Sequence, residues 1–275
     1  MQSSDIVFDI ETKHSFDEVG GRDQFHKLGV SVIGAYLYDE NRYAAFEEHE
    51  IPEFEKLVKN ASESGGKIIG FNIHHFDLPV LQPYISWNLK ELLTLDLMND
   101  VERGAGFRVS LDNLAFETFG AKKSADGMQA LRWYKEGKIA EIKEYCLKDV
   151  ELTKNLYEYG AKNGHVLFYA RDRGSKVAVS VHWGGAASTD VRGIIRDGLA
   201  RRRSIEIEYV TKDVAVVGTP VNVRTVDVHK VFGDSFEGHC HLRQAKRVFK
   251  IDRVLSARLT NQSYQMVEDV QGSLL

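Results

Sequence analysis

The spacing of apolar positions gives the chain two textures. Near the N-terminus, Ile6, Val7, Phe8 and Ile10 form an almost continuous apolar run of β-forming residues, as expected of a short buried strand. Residues 13–28 are polar and broken at Gly20-Gly21, which predicts a loop. Two more strands are expected at 29–38 and 42–46, joined by Asp39-Glu40-Asn41 at hairpin-like spacing. Ile51, Phe54, Leu57 and Val58 recur at helical spacing, with Pro52 in the first turn and Gly65-Gly66 as the stop. A strand at 67–71, a helix at 77–87 and a strand at 92–97 follow. Helices at 110–119, 128–134 and 139–159 close this part. Strands with helices interleaved and then dominating predict an α/β fold, a mixed sheet flanked by helices.

Beyond it the pattern changes. Residues 172–189 are small, polar and glycine-rich in places, and read as a linker. Ser188 or Thr189 would cap a helix over 191–200, with Ile194, Ile195 and Leu199 facing inward. From Arg203 onward apolar and polar residues alternate, at 205–209 and 221–226, and short β-like runs follow at 236–242, 248–251 and 254–259. Several short strands in about 70 residues predict a small β-barrel. The expected organisation is an α/β domain over 1–171, a linker over 172–189 and a barrel over 190–275.

Composition sharpens this division. A chain of 275 residues is comfortable for two domains. No apolar run approaches the roughly 18 residues needed to span a bilayer, and the first residues do not resemble a signal peptide. Cys146 and Cys240 sit in no CxxC pattern, which supports neither a disulfide framework nor a thiolate zinc site. The expectation is a reduced, cytoplasmic protein. Net charge is −4 but unevenly spread. From Val166 onward there are 17 Lys and Arg against 12 Asp and Glu, and before it 19 against 28. An acidic front suits metal-binding carboxylates, and a basic back suits contact with a polyanion.

Candidate chemistry begins with Asp9 and Glu11, which interrupt the first strand. At i and i+2 they project from the same face. Adjacent carboxylates on a buried strand repel each other and lose hydration, and a hard divalent cation is the simplest compensation. The alternative is that the strand ends at Ile10 and Glu11 is solvated. Asp77 falls where a strand gives way to a helix, in the run Gly70 to Pro79 that also holds Asn72, His74, His75 and Phe76. It suits either a metal or phosphate site or an ordinary helix cap, and Asn72 is ambiguous in the same way. Adjacent His74 and His75 point in different directions and lack spaced partners, so they read as surface or supporting residues. Tyr145 and Asp149 stand at i and i+4 in a long helix and can address one point. The alternative is a core tyrosine and an ion-paired aspartate.

Taken together, these segments resemble the DEDD superfamily of 3′→5′ exonucleases, which have an RNase H-like fold. The resemblance covers roughly residues 1–165 and is nearest to the branch shared with proofreading domains of family B polymerases. Asp9-Ile10-Glu11 matches the first family motif, Asn72 with Phe76-Asp77 the second, and Tyr145 to Asp149 the third. Glu144 stands where the histidine subclass needs His, so the tyrosine subclass is implied. Asp96 and Ser110–Leu114 fall where that branch has structural segments, with no catalytic role carried over. The resemblance implies two ions of Mg²⁺ or Mn²⁺, one held by Asp9, Glu11 and Asp149 and the other mainly by Asp9 and Asp77. Such ions stand about 3.5–4 Å apart and support in-line attack by water. Tyr145 would orient that water, Thr12, Asn72 and Phe76 would contact the terminal nucleotide, and a nucleoside monophosphate would leave.

In the second part, Phe236–Arg243 followed by Arg247–Val254 resembles the end of a WYL domain. That family is a small SH3-like or Sm-like barrel, often a ligand- or nucleic-acid-sensing module. The runs 205–209 and 219–221 fit its opening strands, although the naming Trp-Tyr-Leu tripeptide is absent. Tyr209, Arg243, Arg247 and Arg253 are the candidate contacts here for nucleic acid or a nucleotide ligand, the alternative being a solvated or salt-bridged face. Arg201-Arg202-Arg203 reads as a solvated helix end. The expected protein is a metal-dependent 3′→5′ exonuclease acting on single-stranded DNA or RNA. Its rivals are a non-catalytic regulator that binds through the barrel, and an endonuclease on the same fold.

Overall fold

The first strand, β1 (Ile6–Thr12), forms as its apolar run dictates, and a sheet grows on both its edges. It is seen here in a computed structural model that describes residues 4–121, 127–184, 190–212 and 219–265. The chain falls into two units, Met1–Tyr159 and Gly160–Leu275. In the first, β1 leads to two short helices, α1 (Phe16–Val19) and α2 (Phe25–Leu28), where a plain loop was expected. A capping box between Ser15 and Glu18 holds α1. β2 (Val30–Leu37), β3 (Arg42–Glu47) and α3 (Ile51–Glu63) follow, then β4 (Ile68–Gly70) and α4 (Asp77–Leu81). The helix expected to run to 87 passes instead into a 3-10 turn at Gln82–Tyr84, with Pro83 near its start. β5 (Thr94–Asp96) is shorter than expected, because Leu97 opens a further helix, α5 (Leu97–Ala105). α6 (Leu111–Phe119), α7 (Gly127–Lys135) and α8 (Ile139–Asn163) complete the series.

The sheet order is β3-β2-β1-β4-β5. β1 and β3 are antiparallel to β2, whereas β4 runs parallel to β1 and β5 parallel to β4, so the sheet is mixed as expected. Every residue of β2 is buried, which places it under cover on both faces. Alternation along β1 sorts its side chains. Ile6, Phe8 and Ile10 join a core with Phe46, Phe54 and Val58. Asp9 and Glu11 therefore point to the opposite face, where Val32 packs with Ile142 and Cys146 of α8.

The second unit opens in the last turn of α8, at Gly160. Residues read from the sequence as the start of a linker form a hairpin strand: β6 (His165–Ala170) pairs antiparallel with β7 (Ser175–Ser180). Residues 185–189 of that stretch, including the expected caps Ser188 and Thr189, lie outside the described residues. Asp190 accepts the Gly193 N–H and caps α9 (Val191–Arg201). Five antiparallel strands follow: β8 (Arg203–Val210), β9 (Val221–Phe232), β10 (Ser235–Cys240), β11 (Ala245–Lys250) and β12 (Val254–Ser263). They pair in the order β11-β10-β9-β8-β12 over a core of Ile205, Ile207, Val226, Val228, Phe236 and Phe249. No pairing joins β11 to β12 among the described residues, so the expected closed barrel is not seen. Alternation in a sequence specifies the buried face of a strand, not which edges meet.

Phe54 is fully buried between Phe8 and Phe46, at ring-centroid distances of 5.6 and 5.5 Å. Phe54→Ala is expected to cost about 3–5 kcal/mol in urea unfolding. A loss under about 1 kcal/mol would show that this face does not anchor the sheet.

Candidate functional site

β1, α8 and the turn before α4 meet around one cavity of about 440 Å³. Its lining includes Asp9, Glu11, Thr12, Asn72, Phe76, Asp77, Tyr145 and Asp149, all the site residues expected in the first unit. The carboxylates of Asp9, Glu11 and Asp149 offer oxygen atoms within 4.8 Å of one another. Asp9 and Glu11 share a strand face, and Asp149 is brought to them by α8. Three carboxylates with no Cys or His form a hard donor set that fits Mg²⁺ or Mn²⁺ better than zinc.

The approach of α8 depends on Gly34. Asp9 and Gly34 are directly paired across β1 and β2. A Cβ at Gly34 would stand 2.9 Å from Cys146 Sγ and 3.2 Å from the Cys146 backbone. The missing side chain lets the helix lie against the sheet beside Asp9. Cys146 fills the seam: the Gly34 N–H donates to its sulfur at 3.1 Å, and the thiol reaches the Asp9 main-chain oxygen at 3.4 Å. Burial pushes this thiol well above its usual range, and the neighbouring Asp9 and Glu11 add to the effect, so it stays neutral.

Asp77 stands outside the group of three but lines the same cavity. It is buried, and its Oδ1 accepts the Ile10 N–H at 2.9 Å. The β1–β4 ladder pairs only Ile6 and Val7, so this carboxylate takes over a backbone donor further along the strand. Burial raises the Asp77 pKa to about 7, with the Ile10 hydrogen bond opposing the shift and Asp96 adding to it. Tyr145 is buried, its ring edge-on to Trp133 at 6.1 Å. The Thr12 hydroxyl donates to the His14 carbonyl at 3.0 Å. Asn72 adopts φ 70°, and its Oδ1 is buried without a hydrogen-bond partner among the described residues.

Two features of the cavity were not foreseen. Phe16, from the stretch read as a loop, lines it and packs edge-on against Phe76 at 6.1 Å. Met128 and Leu131 of α7 add further apolar lining. A four-residue helix is too short to show a periodicity, so only the Ser15–Glu18 capping pattern signals it.

A family model for the RNase H superfamily matches residues 6–161, more than half of the sequence. The chain belongs to the RNase H superfamily. No curated protein sequence matches it. Among solved structures it is similar to proteasome accessory factor B/C (PafBC) of Arthrobacter aurescens, at 20% identity and a TM-score of 0.24, covering 49% of this chain and 18% of that one. It is also similar to a product-bound exonuclease I, at 11% identity and a TM-score of 0.31, covering 92% of this chain and 64% of that one. In both cases the match spans less than two thirds of the other protein. The RNase H domain thus carries a carboxylate-lined cavity, and no helix among the described residues is long and apolar enough to cross a membrane.

The residues expected in the second unit sit on different elements. Tyr209 is 9% exposed, packs edge-on against Phe249 and accepts the Lys250 N–H on its hydroxyl, so it belongs to the core. Arg243 lies exposed in the β10–β11 turn, and Arg247 lies exposed on β11 opposite Gly238. Arg253, half-buried, follows the other end of that hairpin and precedes Val254, which pairs with Tyr209. A cation the sequence reading passed over, Arg224, is buried with its guanidinium 5.4 Å from the Tyr209 ring centre.

Gly34→Ala is expected to cost about 1–3 kcal/mol by forcing Cys146 against the new methyl group. Combining it with Cys146→Ala should recover part of that loss in urea unfolding, and strictly additive effects would show that the sulfur is not the obstacle.

Asp77 supplies a pH dependence. Its folded pKa of about 7 exceeds the ordinary aspartate value of 3.8, so the folded chain holds the extra proton between those values. In chelator, stability should therefore fall as pH rises from about 4 to 7, and Asp77→Asn should flatten that slope in thermal melts. An equal slope in the variant would assign the titration elsewhere.

Proposed function

We propose that this protein is a metal-dependent 3′→5′ exonuclease of the DEDD type, tyrosine subclass, which hydrolyses single-stranded DNA or RNA to nucleoside monophosphates. The observation that carries the reading is the meeting of Asp9, Glu11, Asp77, Tyr145 and Asp149 in one cavity. These residues come from three distant segments, in the order and spacing of the family motifs. Membership of the RNase H superfamily supports the reading. Asp9, Glu11 and Asp149 would hold Mg²⁺ or Mn²⁺, with Asp77 contributing from the facing turn. Bound divalent ions supply an activated water and charge stabilisation for in-line displacement at phosphorus.

The chain's own residues do the rest. Phe16, Phe76, Met128 and Leu131 offer an apolar wall for the terminal nucleoside, while Thr12 and Asn72 sit where its polar edge would lie. Tyr145, buried and set against Trp133, orients the attacking water. Neutral Cys146 keeps a weak donor beside Asp9 without adding a charge.

The second unit fits a WYL-like module for nucleic acid or a nucleotide. Its support is a helix leading into five antiparallel strands, the last of which returns to pair with the first. The division of labour between an exonuclease domain over 1–171 and such a module over 190–275 is part of this proposal.

The test is a labelled single strand with Mg²⁺ or Mn²⁺. Wild-type chain is expected to release mononucleotides from the 3′ end and to spare circular strands. Asp9→Ala and Asp149→Ala should abolish release, and Tyr145→Phe should slow it about 10–100-fold with metal binding retained. Degradation that survives Asp9→Ala would sink the assignment. Strand binding without product over hours in Mn²⁺ would favour a non-catalytic regulator.

A further inference from the structure

Asp96 ends β5 and is 3% exposed. Its Oδ1 accepts the N–H groups of Met98 at 3.1 Å and Asn99 at 3.2 Å, the ordinary work of a helix cap at the start of α5. The same carboxylate also reaches back along the chain. Oδ1 accepts the Asn72 N–H at 2.9 Å, and Oδ2 accepts the His74 N–H at 3.0 Å. Four backbone donors from two segments converge on one buried carboxylate, where a cap alone needs two.

The turn tied down in this way carries the second wall of the cavity. Asn72 holds the left-handed conformation, and the His75 and Phe76 N–H groups both donate to its carbonyl at 3.1 Å. Ile73 is fully buried, and a Cβ at Gly70 would fall 2.1 Å from its Cγ2, so the chain here has no slack. The His74 ring adds contacts on the same side, to Thr94 Oγ1 at 2.7 Å and Asn99 Nδ2 at 3.1 Å. Out of this turn Asp77 reaches the Ile10 N–H.

We propose that Asp96 is a positioning residue whose carboxylate locks the Asn72–Asp77 turn against the start of α5, so that Asp77 and Asn72 meet the substrate in a single geometry. Asp96 itself does not line the cavity that holds the three carboxylates, so it acts through the turn and is not catalytic. The inference rests on the exonuclease reading for its effect on rate, and on geometry alone for the anchor.

The test separates anchoring from capping. Serine at position 96 can still cap α5 but offers one oxygen where aspartate offers two. In Asp96→Ser, hydrogen exchange at the His74 amide, which loses its Oδ2 acceptor, should accelerate at least about tenfold while Met98 and Asn99 stay protected. kcat should fall about a hundredfold, the cost of a misplaced reacting group, with KM within about threefold. Asn88→Ala removes a different cap, that of the 3-10 turn Leu89–Glu91, and should leave kcat unchanged. If Asp96→Ser fails to fold, Asp96→Asn keeps the shape, turns one acceptor into a donor, and carries the same measurements. Active wild-type enzyme with unchanged kcat in these variants overturns the proposal, as does unchanged amide exchange. Inactive wild type with lost His74 protection in Asp96→Ser supports the anchor and instead sinks the exonuclease reading.

Discussion

The closeness of α8 to the central sheet is the constraint on which the first unit depends. It is set at one point, where Gly34 faces Asp9 across the β1–β2 ladder and leaves room for Cys146. A helix held further out would leave Asp149 short of Asp9 and Glu11, and three carboxylates that now share one small volume would become separate surface charges. The price is electrostatic. Like charges gathered over a buried strand disfavour the folded chain, and the apolar contacts of Phe8, Phe54 and their neighbours must outweigh that repulsion. Such concentrated charge is what a divalent cation relieves.

The two walls of the cavity are built on different principles. The α8 wall is a helix face, where an i, i+4 spacing and a missing Cβ suffice to aim the side chains. The opposite wall is a turn, with no repeating backbone ladder to fix it. There the chain relies on individual hydrogen bonds, from Asp77 to β1 and from Asp96 to two turn amides. Each of these buried carboxylates accepts backbone N–H groups from a neighbouring segment.

Much of this site was legible in the sequence because its residues sit on regular elements. Asp9 and Glu11 declare a shared face through strand alternation, and Tyr145 and Asp149 through the helical period. Asp96 was harder to see. Leu92, Leu93, Leu95 and Leu97 read together as one strand, which hid the end of β5 and the start of α5. Only the pattern of an aspartate followed by helix-forming residues marks the cap, and nothing local announces the partners 22 and 24 residues upstream. The β6–β7 hairpin was missed for a related reason. Its Arg171–Gly174 turn is polar and ends in glycine, so it resembles a linker unless the flanking runs are read as a pair. In the second unit, alternation located the strands, yet the open order β11-β10-β9-β8-β12 is a property of edges that no single strand encodes.

The long sequence separation of the site's parts has a consequence for when it exists. Asp9 is made first, Asp77 and Asp96 later, and Asp149 last of the four. No fragment lacking α8 can assemble the three-carboxylate group, and a nascent chain lacks its third member until that helix has emerged and docked on Gly34. Whatever chemistry the three carboxylates support is thereby absent from any copy in which α8 has yet to dock.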